Sequence, residues 1–179
     1  MKVSKKGIEF LSYKRIYLRP FEKEDITSIY RSHVNDLSDY GIAVRFPQSK
    51  KELEIYQKNK LDSPNSIFFS VCLKKNDELI GTASLSSINW VNKYATYGRL
   101  IFSHHQNKGY GTELLLALKK YAFKDLNLKN IWTMALKNNQ KSIKSNSKSL
   151  GRKVGILKKF EFKNGKYQDV IIIQHLKTK

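Results

Sequence analysis

This chain of 179 residues has one cysteine, three prolines, few acids and no apolar run that approaches the roughly 20 residues a bilayer span needs. One cysteine, Cys72, excludes an internal disulfide. It lies within Ser66-Ile-Phe-Phe-Ser-Val-Cys-Leu73, where a buried strand residue is the natural reading and a reactive thiol the minor one. With so little proline, and no Pro/Gly/Ser-rich linker or internal repeat, residues 1–179 read as one continuous domain. The basic stretch Met1–Tyr13 has no continuous apolar segment, which reads against a secretory signal. Together these features point to a cytoplasmic protein without membrane association.

What the chain has in excess is positive charge. Lys and Arg number 34 against 15 Asp and Glu, a formal charge of +19. Residues 129–179 hold thirteen Lys/Arg and two acids, Glu161 and Asp169. A surface of this kind attracts phosphate-rich partners: coenzyme A, a nucleotide-linked sugar, RNA or a ribosome. A Lys- and Asn-rich coding bias that merely solvates the surface accounts for it equally well. The charge argues against a polycationic substrate such as a polyamine, unless the fold encloses an acidic pocket. A homodimer is a further assembly the chain could form.

The pattern along the chain is α/β. Ile16–Pro20 reads as a strand, and Glu22–His33 as a helix with Ile26, Ile29 and Tyr30 on one face. Residues 35–48 are irregular. Ser49 with Glu52 forms a capping box for a helix that runs to about Lys60. A hairpin follows, Ile67–Leu73 and Leu79–Ser86. After a turn at Trp90–Lys93, Tyr94–Phe102 is a strand rich in aromatic and branched residues. A helix starts near Gly111 and carries Leu114, Leu115, Leu118, Tyr121 and Ala122 on one side. Ile131–Leu136 is a strand, residues 139–150 a weak helix, and Phe160–Phe162 with Asp169–His175 a closing hairpin turned at Asn164-Gly165.

Gln106-Asn-Lys-Gly-Tyr-Gly111-Thr112 lies between a strand and an amphipathic helix. A helix N-terminus offers free amides and a positive dipole end, and glycines 109 and 111 let a ligand approach the backbone. The segment reads as a pyrophosphate cradle with Lys108 adding charge, or as an ordinary tight turn. It is not a Walker loop, and it lacks the third glycine of the dinucleotide fingerprint.

Gln106-Asn-Lys-Gly-Tyr-Gly111 resembles the Q/R-x-x-G-x-G/A signature of the GNAT superfamily of N-acetyltransferases. Tyr17-Leu-Arg-Pro20 with Glu24-Asp25 is similar to the opening of the branch that acetylates ribosomal-protein N-termini, polyamines and amino sugars. Asn35-Asp36, Phe46-Pro47, Leu79-Ile-Gly81, Ile88-Asn-Trp-Val-Asn92, Tyr121-Ala-Phe123 and Asn164-Gly-Lys-Tyr167 fit the same branch. The resemblance spans about residues 15–175. It implies a mixed, mostly antiparallel twisted sheet flanked by helices, with a V-shaped splay between Tyr94–Phe102 and Ile131–Leu136.

It further implies acetyl-CoA as cosubstrate, with the backbone around Leu100, Ile101 and Phe102 pairing its pantetheine amides. The amides of Gln106, Asn107, Lys108, Gly109, Tyr110, Gly111 and Thr112 would bind pyrophosphate, and an amide near Leu100 or Ile101 would receive the oxyanion. The amine acceptor would attack directly, without a covalent enzyme intermediate. Asn139-Gln-Lys-Ser142-Ile143 matches the family's N-x-x-S-I helix start, with Asn139 on the pantetheine and Ser142 as cap; simple capping explains both residues as well.

The chain departs from the pattern at its chemistry. Asn146 stands where many relatives have an acidic tyrosine, and Thr96 in Ala95-Thr-Tyr-Gly98 where many have a glutamate. No acid or base carries over. Tyr97 and Asn146 remain minor catalytic candidates, and Tyr97, like Tyr94, suits a core position. Asp39, Tyr40 and Arg45 are the minor candidates for the acceptor pocket. His104 and His105 lack partners for a metal site, so no metal is expected. Trp90 and Trp132 are expected to pack in the core or support a strand rather than stack on a base. A non-catalytic relative that binds RNA or a ribosome is the competing reading.

Overall fold

The computed structural model describes residues 8–35 and 49–178. Eight strands form one sheet in the order β1-β2-β3-β4-β5-β6-β8-β7. They are β1 (Leu11–Tyr13), β2 (Ile16–Pro20), β3 (Ile67–Leu73), β4 (Leu79–Asn89), β5 (Tyr94–Ile101), β6 (Asn130–Leu136), β7 (Arg152–Lys163) and β8 (Lys166–Leu176). The helices are α1 (Asp25–Asn35), α2 (Lys50–Leu61), α3 (Tyr110–Lys120) and α4 (Gln140–Lys148). All neighbouring strands run antiparallel except β5 and β6.

The expected elements form where apolar periodicity is strong. Ile67–Leu73 is a near-continuous apolar run, and from Phe69 onward it is buried. Leu114, Leu115 and Leu118 of α3 are fully buried against the sheet, in a core with Ile16, Leu18, Val71, Ile80, Leu85, Ala95 and Ile131. The Ser49–Glu52 capping box is present in both directions, at 2.6 and 3.2 Å. Asn164 and Gly165 both adopt positive φ, 53° and 73°, the backbone of a two-residue hairpin turn. Cys72 is fully buried on β3, and burial pushes its thiol up.

Several elements differ from expectation. β1 escapes periodicity because it has three residues in a polar segment. β7 begins at Arg152, well before Phe160, because an edge strand rich in Lys shows little alternation. Its register shifts between Leu157 and Glu161, where Lys159 has φ 47° and its amide donates to Asp169 at 3.1 Å. Trp90 is 41% exposed rather than in the core, since it sits in the β4–β5 turn.

β5 and β6 share three paired residues, Tyr94–Thr96 with Asn130–Trp132. Past Thr96, β5 stays with β4, while β6 stays with β8 as far as Leu136. The sheet therefore opens into a V whose apex lies at Thr96 and Trp132. Gly81 keeps β4 close along the upper limb: a Cβ there would stand 2.1 Å from the Leu100 carbonyl oxygen.

Candidate functional site

The open flank of β5 follows from the ladder on its other flank. The Phe102 amide donates to the Ile80 carbonyl at 2.9 Å, and Leu100 pairs with Thr82. Antiparallel pairing alternates, so the polar groups of Leu100 and Phe102 point to β4, and those of Arg99 and Ile101 point into the V. This corrects the expectation that Leu100, Ile101 and Phe102 all serve a ligand. Of the three, Ile101 alone turns its polar groups to the V; for the other two, the strand's second neighbour decides the direction. The Ile101 carbonyl already accepts from Gln106 Nε2 at 2.9 Å.

The loop above the V is built as the sequence suggests. A short 3-10 turn, Ser103–His105, leads from β5, and Gly109 caps α3 with φ 88°. Asn107 is also left-handed, at φ 62°. The amides of Thr112 and Glu113 bond to the Gly109 carbonyl, at 3.0 and 3.2 Å. Those of Tyr110 and Gly111 have no acceptor within the helix, which leaves the positive end of the dipole at the mouth of the V. Lys108 Nζ bonds back to the His104 carbonyl at 2.9 Å. His105 pairs with Glu78 at 3.1 Å, and among the described residues no cluster of His, Cys, Asp or Glu is placed to hold a metal.

Arg15 props this loop from behind. Its Nη2 donates to the Lys108 carbonyl at 2.8 Å, its Nε to Glu113 at 2.8 Å, and its guanidinium lies over the Tyr110 ring at 4.5 Å. Sequence reading missed this residue, because its partners are about a hundred positions away and no local pattern joins them.

Across the V, Asn139 is the N-cap of α4 and accepts from the Ser142 amide at 3.0 Å. Ser142 was expected to cap; it lies inside the first turn and receives the cap. At the mouth, Lys141 Nζ reaches Gln106 Oε1 at 3.0 Å, linking α4 to the loop.

Behind the apex lies a polar cluster. Tyr97, 3% exposed, donates its hydroxyl to Asn146 Oδ1, and His175 Nε2 meets the same oxygen at 3.2 Å. Asn146 Nδ2 donates to the Ser142 carbonyl at 2.9 Å. Both minor catalytic candidates thus meet in one network. Burial raises the Tyr97 phenol above its ordinary value and lowers His175 to about 4, with Lys119 and Arg99 acting in the same direction on the imidazole. His175 is therefore neutral near pH 7, and among the described residues its Nδ1 has no hydrogen-bond partner. Two residues along β5, Arg99 donates to the Gly111 carbonyl and to Ser145 Oγ at 2.6 Å. Ser145 Oγ in turn lies 3.2 Å from Thr112 Oγ1. A charged residue inside an otherwise uncharged strand was the available signal for Arg99.

Thr96 donates to the Ser86 carbonyl at 2.9 Å, and β5 contains no carboxylate. Asp39, Tyr40 and Arg45 fall outside the described residues. The arrangement can hold an anion at α3, accommodate an extended amide-bearing chain along Arg99 and Ile101, and present its far end to the apex.

Comparison with known proteins agrees with this geometry. The sequence profile of the acetyltransferase (GNAT) domain matches residues 15–149. Spermidine N(1)-acetyltransferase of Vibrio cholerae is 28% identical over 166 residues, covering 92% of this chain and 95% of that protein. The Escherichia coli K12 enzyme of that name is 29% identical over 169 residues, covering 89% and 87%. A crystal structure of the Vibrio cholerae spermidine N-acetyltransferase in complex with CoA and spermine superposes with a TM-score of 0.83 at 26% identity, covering 90% of this chain and 95% of that one. A dodecameric structure of that enzyme gives 0.78 at 27% identity, covering 90% and 94%.

Proposed function

The chain belongs to the GNAT acetyltransferase family and is an N-acetyltransferase, and on that premise we propose that it moves acetyl from acetyl-CoA to a primary amine carried on an anionic molecule. A nucleotide-linked amino sugar, an aminoacyl-tRNA and a protein N-terminus presented by a ribosome all fit that description. The observation that carries the cosubstrate is the V between β5 and β6, with the N-terminus of α3 at its mouth. Pyrophosphate would sit on the amides of Tyr110 and Gly111, with Gln106 to Thr112 forming the rim. The pantetheine would run along Arg99 and Ile101, with Asn139 and Ser142 facing it from α4. The thioester would then lie near the apex, where a β5 amide receives the oxyanion. β5 supplies no carboxylate base, so an amine arriving unprotonated gives up its proton to water. Positioning supplies much of the rate.

Charge supports the anionic acceptor. Several described carboxylates are already engaged: Asp25 with Arg19, Glu113 with Arg15, Glu78 with His105, and Asp169 with Lys158. A polycation would meet a surface of net charge +19. The similar enzymes named for spermidine make polyamine the natural control. Acetylation should therefore be measured on spermidine, a UDP-linked amino sugar, an N-terminal peptide and an aminoacyl-tRNA. Phosphate-borne acceptors should show the higher kcat/KM, weakening steeply with salt. Preference for spermidine would overturn the acceptor class and leave the cosubstrate untouched. For the cosubstrate, Gly111→Glu sets a carboxylate beside the phosphates and should abolish acetyl-CoA binding in calorimetry. Unchanged affinity in a folded variant would remove the loop assignment.

One observation favours a second role beside acetyl transfer, RNA or ribosome binding. Phe160, Phe162 and Tyr167 are each more than half exposed on the β7–β8 hairpin, among Lys158, Lys159, Lys163 and Lys166. Aromatics among lysines suit stacked bases. Unchanged RNA affinity when all three aromatics are replaced by alanine would set this role aside.

A further inference from the structure

Among the described residues, Arg99 is a charge without a counter-charge. Its guanidinium is largely buried between β5, the first turn of α3 and the middle of α4. Its partners among the described residues are neutral: the Gly111 carbonyl, Ser145 Oγ at 2.6 Å and the Ser142 carbonyl at 3.5 Å. Among the described residues no carboxylate pairs with it, in contrast to Arg15 on Glu113 and Arg19 on Asp25. Burial pulls the group below its ordinary value, yet a guanidinium stays charged. A buried, uncompensated cation is costly, and neutral oxygens hold it in place without cancelling it. That cost has a use where an anion forms.

Its position is beside the reaction path. Tyr97 is the first β5 residue past the last β5–β6 pair, and Arg99 follows on the same face of the strand. Both side chains converge on one turn of α4: Tyr97 on Asn146, Arg99 on Ser145 and Ser142. The Tyr97 hydrogen is already donated, and its raised phenol is a weak acid. Asn146 is an amide with no proton to lose. The polar cluster behind the apex therefore offers charge where a proton donor is missing.

We propose that the Arg99 guanidinium stabilises the coenzyme A thiolate as it leaves. This rests on the reading of the V as the acetyl-CoA site. The amine nitrogen bonds to the thioester carbonyl carbon, and the amine's proton passes to water. The C–S bond breaks, its electron pair stays on sulfur, and the thiolate departs facing the guanidinium. Arg99 transfers nothing and sulfur is reprotonated later by solvent.

The test is the titration of CoA bound to the protein, followed by thiolate ultraviolet absorbance. In wild type the bound thiol should titrate below free CoA, and in Arg99→Met its pKa should rise by about one unit or more, as expected for loss of a nearby opposite charge. The acetylation kcat should fall about 10- to 100-fold with little change in KM for acetyl-CoA, the pattern of a lost transition-state interaction. Arg99→Lys, which keeps the charge, should recover part of both and guards against a folding defect in the methionine variant. An unchanged bound-thiol pKa overturns the proposal. So does a loss of CoA affinity without a thiol shift, which would assign Arg99 to the phosphates. Absence of CoA binding to wild type would instead overturn the cosubstrate reading.

Discussion

The two helices that flank the V are held by different forces. α3 buries Leu114, Leu115 and Leu118 completely and Ala117 to 3% exposure. α4 buries one of its nine residues, Asn146, packs Ile143 against Ala135, Ile171 and Ile173, and is held mainly by directed bonds: the Asn139 cap, Ser145 to Arg99, and Asn146 to Tyr97 and His175. Apolar burial scales with area and tolerates small shifts, whereas hydrogen bonds depend on direction. The α3 side is therefore the rigid floor of the V. The α4 side is set by direction, at lower stability.

Truncation should expose this asymmetry most strongly in the apolar half. Leu115→Ala should cost about 2–5 kcal/mol in urea unfolding, by transfer loss plus cavity. A loss as small as that of an exposed residue would mean α3 is not the floor. The next effect lies in the other half and depends on pH. His175 is depressed to about 4 from its ordinary value of 6.5 and is 1% exposed. Between those values the unfolded chain binds the extra proton, so stability is complete above pH 6.5 and falls as pH drops to 4. The amount is about 3 kcal/mol by linkage. His175→Phe should flatten that limb, and an unchanged limb would place the acid sensitivity elsewhere.

Asp25, at the start of α1, sets a separate window. Burial opposes its charge, but bonds from Arg19, Ser70 and the Glu22 amide outweigh it and leave the carboxyl below the usual range. Its contribution is complete above the unfolded value near 3.9 and disappears as pH falls through the folded one. In Asp25→Asn the remaining loss below pH 4 should shrink; persistence of the wild-type slope would exclude this ion pair as its source. Asn139→Ala is the smallest change, about 1 kcal/mol for a lost cap. Should it weaken CoA binding as well, more than a stability loss of that size accounts for, α4 orientation matters to the ligand as argued here.

The same contrast explains what could be read from sequence. Apolar periodicity located α3, β3 and β5, and the loop motif located the glycine turn into α3, because those features are local. The Ser49–Glu52 box and the Asn164-Gly165 turn were legible for the same reason. Arg15 on Lys108, Arg99 on Ser145 and His175 on Asn146 join residues 29 to 93 positions apart. No spacing rule reports such pairs. The assignment of Leu100 and Phe102 failed for a subtler reason. Which way a strand amide points depends on the register with its other neighbour, and sequence alone does not specify register.

That register has a consequence for hydrogen exchange. Along β5 the amides of Leu100 and Phe102 are sealed against β4, whereas those of Arg99 and Ile101 face the V. One strand therefore carries a comb of slow and fast amides, alternating residue by residue. A ligand lying in the gap would act as the missing neighbour strand, and the comb would fill in.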